Sequence, residues 1–184
     1  MSLIEHRDIL LELAQTSIKY GLEKQSLRAV RQEDYPLVLR DKAASFVTLT
    51  IKEQLRGCIG SLEAKRALFE DVNYNAYAAA FSDPRFKPLV IDEYALIDIS
   101  ISILSKPEPM QFSSEQDLLV QLKPEIDGII IQWGHHQATF LPMVWAQIPE
   151  PQQFLNQLKR KAKLPEKFWA QDMKVWRYNT EKIS

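Results

Sequence analysis

Apolar residues in this chain recur at two periods, and the changes between them mark its elements. Ser2 followed by Glu5 reads as a capping box, and Ile4, Leu10, Leu11, Ala14 and Ile18 then trace an amphipathic helix ending at Tyr20-Gly21. Residues 22–42 are irregular and charged, with Tyr35-Pro36 forcing an extended step, so they read as a surface connection. Ser45–Ile51 alternates, with Val47, Leu49 and Ile51 on one face and Phe46, Thr48 and Thr50 on the other. Residues 55–60 alternate as well. A hairpin turning at Lys52-Glu53-Gln54 pairs Ile51 with Leu55, Leu49 with Gly57 and Val47 with Ile59, so that every aliphatic shares one face. The same register sets Thr50 opposite Arg56 and Thr48 opposite Cys58. The turn carries none of the Asn-Gly or Asp-Gly chemistry of tight hairpins.

Residues 68–82 read as a helix whose Ala76, Ala78, Ala79 and Ala80 allow close packing on a sheet, and Asp83-Pro84 ends it. Arg85-Phe86-Lys87-Pro88-Leu89 is a stiff loop held between prolines. Residues 95–104 alternate most clearly, with Ile97, Ile99, Ile101 and Ile103 against Asp98, Ser100 and Ser102. Lys106, Pro107 and Pro109 stop that strand, and Ser113 or Ser114 caps a short helix through Leu122. Ile129-Ile130-Ile131 and the return through Thr139, Phe140 and Leu141 predict a second hairpin around Gly134. Phe154, Leu155, Leu158 and Ala162 mark a helix ending near Leu164-Pro165, and residues 173–178 predict a last strand. Strands grouped in hairpins predict an α+β fold with a largely antiparallel sheet and flanking helices.

The length of 184 residues fits one domain over 1–184, with two lobes around a cleft as an alternative arrangement. Lysine plus arginine total 23 against 24 acidic residues, a net charge of -1, so nothing at whole-chain level points to nucleic acid or a membrane. One cysteine forbids an internal disulfide and a Cys-based zinc cluster, which suits a reducing compartment, and a cytoplasmic location is expected. Glu5, His6, Arg7 and Asp8 interrupt the first apolar pattern in a way no signal peptide tolerates. The common glycine-rich nucleotide loops are missing, so no cofactor is expected.

The chemistry concentrates in Leu55-Arg56-Gly57-Cys58-Ile59-Gly60-Ser61. In a regular strand Arg56 and Cys58 share a face. A lone cysteine is ordinarily a small buried hydrophobe, but burying Cys58 buries Arg56 beside it, and a guanidinium then needs a carboxylate. A cleft wall is the easier home for both. There Arg56 favours a thiolate, and Gly57 and Gly60 let a ligand approach amides able to cradle an anion. Asp83 is the expected partner of Arg56, and Arg85 supplies a second cation. The alternative for Asp83 and Arg85 is a helix stop and a surface ion pair. His135 and His136 are adjacent and point apart, so they read as exposed turn residues, His6 has no role on its helix, and no metal site is expected. Lys159-Arg160-Lys161 with Lys163 reads as the solvated end of a helix.

Residues 55–60 as Leu-Arg-Gly-Cys-Ile-Gly, then Asp83-Pro84-Arg85-Phe86, then Phe140-Leu141-Pro142 followed by Val144 make the chain resemble the AMMECR1 family. The resemblance covers residues 45–165. It implies an α+β domain with a main lobe, a smaller lobe and a cleft lined by the first motif, whose binding residues would be Leu55, Arg56, Gly57, Ile59, Gly60, Asp83, Arg85 and Phe86. It brings no reaction with it. In prokaryotes the family accompanies Memo-like and radical SAM proteins, which are therefore the expected partners. Lys87 and Met143 stand where proline and glutamine are common in the family, and Lys163 where glycine is common. Two functions follow. One is a binding or accessory module holding a small anionic ligand or a partner's peptide. The other is an enzyme whose Cys58 nucleophile is activated by Arg56. The first is preferred, because spacing places neither His135 nor His136 near Cys58 as a general base.

Overall fold

The computed structural model describes residues 3–184, so the expected Ser2 cap lies outside the described residues. The chain divides into two compact units, residues 1–104 with 181–184 and residues 105–180. Each has its own four-stranded sheet and apolar core, giving an α+β fold built from antiparallel hairpins.

The first unit contains α1 (Arg7–Lys24), β1 (Ser45–Ile51), β2 (Gln54–Gly60), α2 (Leu68–Phe81), α3 (Ile91–Tyr94) and β3 (Ile97–Leu104). With β8 (Thr180–Ile183), the strand order is β2-β1-β3-β8. Val47, Leu49, Ile101 and Ile103 are buried in one cluster with Leu10, Leu13 and Ile18 of α1 and Leu68, Val72 and Ala76 of α2. Helix α1 runs a turn past the expected stop and ends at Gln25, which is left-handed at φ 53°. Gly21 serves packing instead. A Cβ there would lie 2.3 Å from Phe81 Cε2, so the missing side chain lets α1 and α2 approach closely.

Helix α2 is also pinned to the hairpin by a buried carboxylate. Asp71 accepts from Ser45 N–H at 2.9 Å, Ser45 Oγ at 2.8 Å, Asn75 Nδ2 at 2.8 Å, Ser61 Oγ at 2.8 Å and Arg66 Nη2 at 3.0 Å. A buried carboxylate is tolerable when its lone pairs are filled this way.

The hairpin keeps the expected pairing of Leu49 with Gly57, Thr48 with Cys58 and Val47 with Ile59, and departs from it nearer the turn. The turn has two residues, Lys52 and Glu53, at φ 50° and 64°, and Ile51 faces Gln54. The residue thereby displaced from the turn is taken up as a bulge, since Thr50 pairs with Leu55 and Arg56 is left over. A two-residue turn with both φ positive matches the strand twist, which is why it wins although neither residue favours it. The bulge takes Leu55 off the apolar face, leaving it 44% exposed, and re-aims Arg56.

The second unit holds β4 (Glu108–Pro109), α4 (Glu115–Gln121), β5 (Gly128–Trp133), β6 (His136–Phe140), α5 (Pro151–Lys161) and β7 (Lys174–Tyr178), in sheet order β4-β7-β5-β6. Ile129, Ile131 and Val175 share a core with Phe154, Leu155, Leu158 and Trp145. Ser114 caps α4, its hydroxyl accepting Asp117 N–H at 3.1 Å. The basic run is not a uniformly solvated face. Lys159 is fully buried and pairs with Glu115 at 2.6 Å, because its position turns it inward between α4 and the chain after α5. His136 is likewise no exposed turn residue, for its Nδ1 meets the Ala162 carbonyl at 2.9 Å. Past α5, Leu164 N–H donates to Lys159 C=O and Lys163 N–H to Arg160 C=O, both at 2.9 Å. This is the helix end that glycine serves best, and Lys163 occupies it at φ 62°.

Two stability gains are expected. Lys163→Gly relieves the left-handed lysine and should add about 0.5–1 kcal/mol. Replacing Lys52-Glu53 by Asn-Gly should add about 1 kcal/mol by supplying residues that accept positive φ. Urea unfolding of each variant measures the change, and a loss of stability in either would contradict the backbone assignment.

Candidate functional site

The Thr48–Cys58 pair decides what the outer edge of β2 offers. Ser61 N–H bonds to Ser45 C=O at 2.9 Å, so in the alternating antiparallel ladder Cys58 directs its N–H and C=O away from β1. No further strand lies there in the sheet order. Asp83 Oδ2 accepts Cys58 N–H at 2.9 Å, and Arg85 Nη2 donates to Cys58 C=O at 3.2 Å. Arg85 is itself fixed by Asp83, through Nε to Oδ1 at 2.9 Å and Nη2 to Oδ2 at 2.7 Å. The ion pair thus satisfies the edge as a neighbouring strand would.

Arg56 finds a different partner from the one expected. Its Nε and Nη2 each reach Glu93 of α3 at 2.8 Å, and Nη2 also donates to Lys87 C=O at 3.0 Å. The bulge explains this, since Arg56 no longer follows the alternation that would aim it with Cys58. Asp83 still contributes to the field that favours the Arg56 cation, after the Glu93 bonds. The remaining nitrogen, Arg56 Nη1, is buried without a hydrogen-bond partner among the described residues. Phe86 lies near both cations, its ring centre 5.8 Å from the Arg56 guanidinium carbon and 5.5 Å from that of Arg85.

Cys58 is half-buried, and its Sγ receives the Thr48 hydroxyl at 3.2 Å. That partner is neither an imidazole nor a carboxylate. The space left by Gly57 is filled: a Cβ would fall 2.1 Å from the Ala79 carbonyl oxygen of α2. At Gly60 the Phe46 ring occupies the same place, with Cγ 2.2 Å from an added Cβ. Both glycines therefore serve close packing here.

Arg56, Cys58, Asp83, Arg85 and Phe86 are brought together along the β2 edge. Glu93 and Thr48 join them without having been singled out from sequence. For Thr48 the expected register already held the information. For Glu93 the available signal is its place three residues after Val90, whose N–H it accepts at 3.1 Å at the start of α3. Among the described residues no group of three His, Cys, Asp or Glu side chains is placed to hold a metal, and no helix is long and apolar enough to cross a membrane.

The Arg85 bonds hold the Asp83 carboxyl far below the usual carboxylate range, and those of Arg56 lower Glu93 in the same sense. Folded-state values below the unfolded ones give stability that is present above about pH 4 and is lost as pH falls through and below it. Asp83→Asn should lower stability at neutral pH and flatten its decline between about pH 4 and pH 2. Urea midpoints against pH for both proteins test this, and parallel curves would remove Asp83 from the acid-sensitive set.

The chain matches the AMMECR1 family profile over residues 11–183. It is 34% identical over 153 residues to Protein MJ0810 of Methanocaldococcus jannaschii, covering 81% of this chain and 76% of that one. With Protein SSO0193 of Saccharolobus solfataricus it shares 41% over 143 residues, covering 74% of this chain and 61% of that one. The crystal structure of uncharacterized protein PH0010 from Pyrococcus horikoshii superimposes with a TM-score of 0.86 at 29% identity, covering 95% of this chain and 88% of that one. On the extent of the profile and of these similarities, the chain belongs to the AMMECR1 family.

Proposed function

We propose that this chain is a cytosolic binding or accessory module that takes an oxygen-bearing, anionic group of a small ligand or partner peptide beside β2, in a pathway with Memo-like and radical SAM proteins. The observation that carries the reading is Arg56 Nη1, a buried donor with no acceptor among the described residues. Leaving such a donor unpaired costs about 1–3 kcal/mol, which an incoming oxygen would recover. Arg56 is held for that task by its two bonds to Glu93. Arg85 adds a guanidinium on a side chain that is 53% exposed, yet fixed in orientation by Asp83. Leu55 and Phe86 would contact the apolar part of the bound group, while Ile59, expected there too, packs against the apolar core of the first unit, and Gly57 and Gly60 hold the strand against its neighbours.

The competing reading is a thiolate enzyme. Arg56 spends its bonds on Glu93 and Lys87, and Arg85 is the cation bonded to Cys58, through its carbonyl. That arrangement favours the module over an Arg56-activated nucleophile.

Titration of the protein with inorganic phosphate and with acetate, followed by backbone amide shifts, tests the reading. Saturable shifts at Arg56 and Phe86 are expected. Arg56→Ala should weaken binding at least about tenfold, and Cys58→Ser should leave it within about twofold. Unchanged affinity in Arg56→Ala would overturn the assignment. Alkylation of Cys58 by iodoacetamide that is rapid well below the ordinary thiol range would favour the enzyme instead. Co-purification with a Memo-like protein, lost in Arg56→Ala, is the expected result for the partner.

A further inference from the structure

We infer that the site beside β2 docks a partner protein through a short segment in which one glutamate stands between large aliphatic residues. The inference rests on the proposed reading of Arg56 as the acceptor of an anionic group, and adds to it what surrounds that arginine.

Exposed apolar side chains gather around one residue, Glu93. Val90, Ile91 and Leu96 are 54%, 66% and 57% exposed. Val90 N–H donates to Glu93 Oε2 at 3.1 Å, Leu96 N–H donates to Glu93 C=O at 2.9 Å, and Ile91 follows Val90 in the chain. Arg56, bonded to both carboxylate oxygens of Glu93, brings in the exposed Leu55 as its chain neighbour. A single exposed aliphatic is ordinary, whereas four that each lie at most one hydrogen bond and one chain step from Glu93 or its arginine form a patch. The patch is also held in place. Glu93 is fixed by Arg56, and the next residue, Tyr94, donates from its hydroxyl to Gln15 C=O of α1 at 3.2 Å while packing against the core of the first unit.

Charge and position select the occupant. Arg56 spans from β2 to α3, so Leu55 lies at one end of its side chain and Val90 and Ile91 at the other. A carboxylate that meets this arginine therefore has apolar protein surface on two sides. An acid at a chain end has a neighbour on one side only, whereas an internal acidic residue carries one before it and one after it. Arg56 Nη1 is buried without a partner among the described residues, which suits the longer reach of glutamate over aspartate. Asp92 is exposed beside Ile91, and its charge opposes further acids in the segment, leaving aliphatic flanks. A charged bond at an arginine, ringed by apolar contacts that exclude water, is the arrangement that carries most of the energy in protein interfaces.

The probe is N-acetyl-Leu-Glu-Leu-amide, blocked at both ends so that glutamate is its only charge, titrated into the full chain and followed by backbone amide shifts. It should bind about tenfold or more tighter than acetate. N-acetyl-Ser-Glu-Ser-amide lacks the flanks and N-acetyl-Leu-Gln-Leu-amide lacks the charge, and each should bind about fivefold or more weaker than the probe. Ile91→Ser should weaken the probe about fivefold and leave acetate within about twofold, with Val90→Ser as the second variant if Ile91→Ser folds poorly. Equal affinity for the leucine-flanked and serine-flanked peptides, or no effect of either variant, would overturn the docking surface and leave the reading of Arg56 in place. A glutamine peptide as tight as the glutamate one would overturn that reading and this inference with it. Tighter binding of N-acetyl-leucine, whose carboxylate is terminal, would overturn the internal segment. A concentration-dependent dimer in sedimentation, dissolved by Ile91→Ser, would give the patch to a second copy of this chain and overturn the partner.

Discussion

A single carboxylate, Asp83, organises the site. It follows the end of α2, and its two oxygens serve the strand edge and the arginine together, accepting Cys58 N–H and both Nε and Nη2 of Arg85. Arg85 completes the circuit by donating to Cys58 C=O. Strand β2 therefore ends its sheet without unfilled groups at Cys58, and the loop after α2 is fastened to it. The second fastening is Arg56, which reaches Lys87 C=O and Glu93. Phe86 sits between these two anchors, so its ring is positioned by the backbone held on either side of it.

These anchors would have little effect if the hairpin could drift from α2. It cannot, because the contact is backbone against backbone. Gly57 brings β2 so close that Ala79 C=O takes the volume of a side chain, and Asp71 ties the first residue of β1 and the residue after β2 to the same helix. Alanines at 76, 79 and 80 keep that helix face low and buried. The glycine of the motif is thus a packing residue, and its neighbour Arg56 is displaced into the site by the bulge it occupies.

How far the sequence was legible follows from what kind of interaction set each feature. Period-two alternation fixed the apolar faces of β1 and β3 and the middle of the hairpin register, since one slipped residue would have exposed Val47 and Leu49. The turn was opaque because Lys52 and Glu53 carry none of the chemistry of the conformation they adopt, and the bulge at Arg56 follows from that turn. Glu93 was missed in favour of Asp83 because proximity in space along an irregular loop leaves no periodic trace. Lys159 misled for a related reason: the Glu115 that compensates it lies 44 positions away. Gly21 was legible as special, and only its partner on another helix decided that it marks a crossing instead of a stop.

The electrostatic consequence of this arrangement reaches past individual bonds. Arg56 and Glu93, like Arg85 and Asp83, form matched pairs, so the site has two fixed cations and little net charge to set beside the chain's own -1. Long-range attraction would then contribute little to recognition. What the site has instead is directional: a forked guanidinium whose orientation is set by Glu93, with one nitrogen left over, beside a second guanidinium braced by Asp83. A donor already held in place gives up little side-chain entropy when an acceptor arrives, and buried bonds are screened far less by salt than exposed ones. Selectivity in such a site comes from matching the position of an oxygen, and the carboxylates that seem to cancel the arginines are what make that position definite.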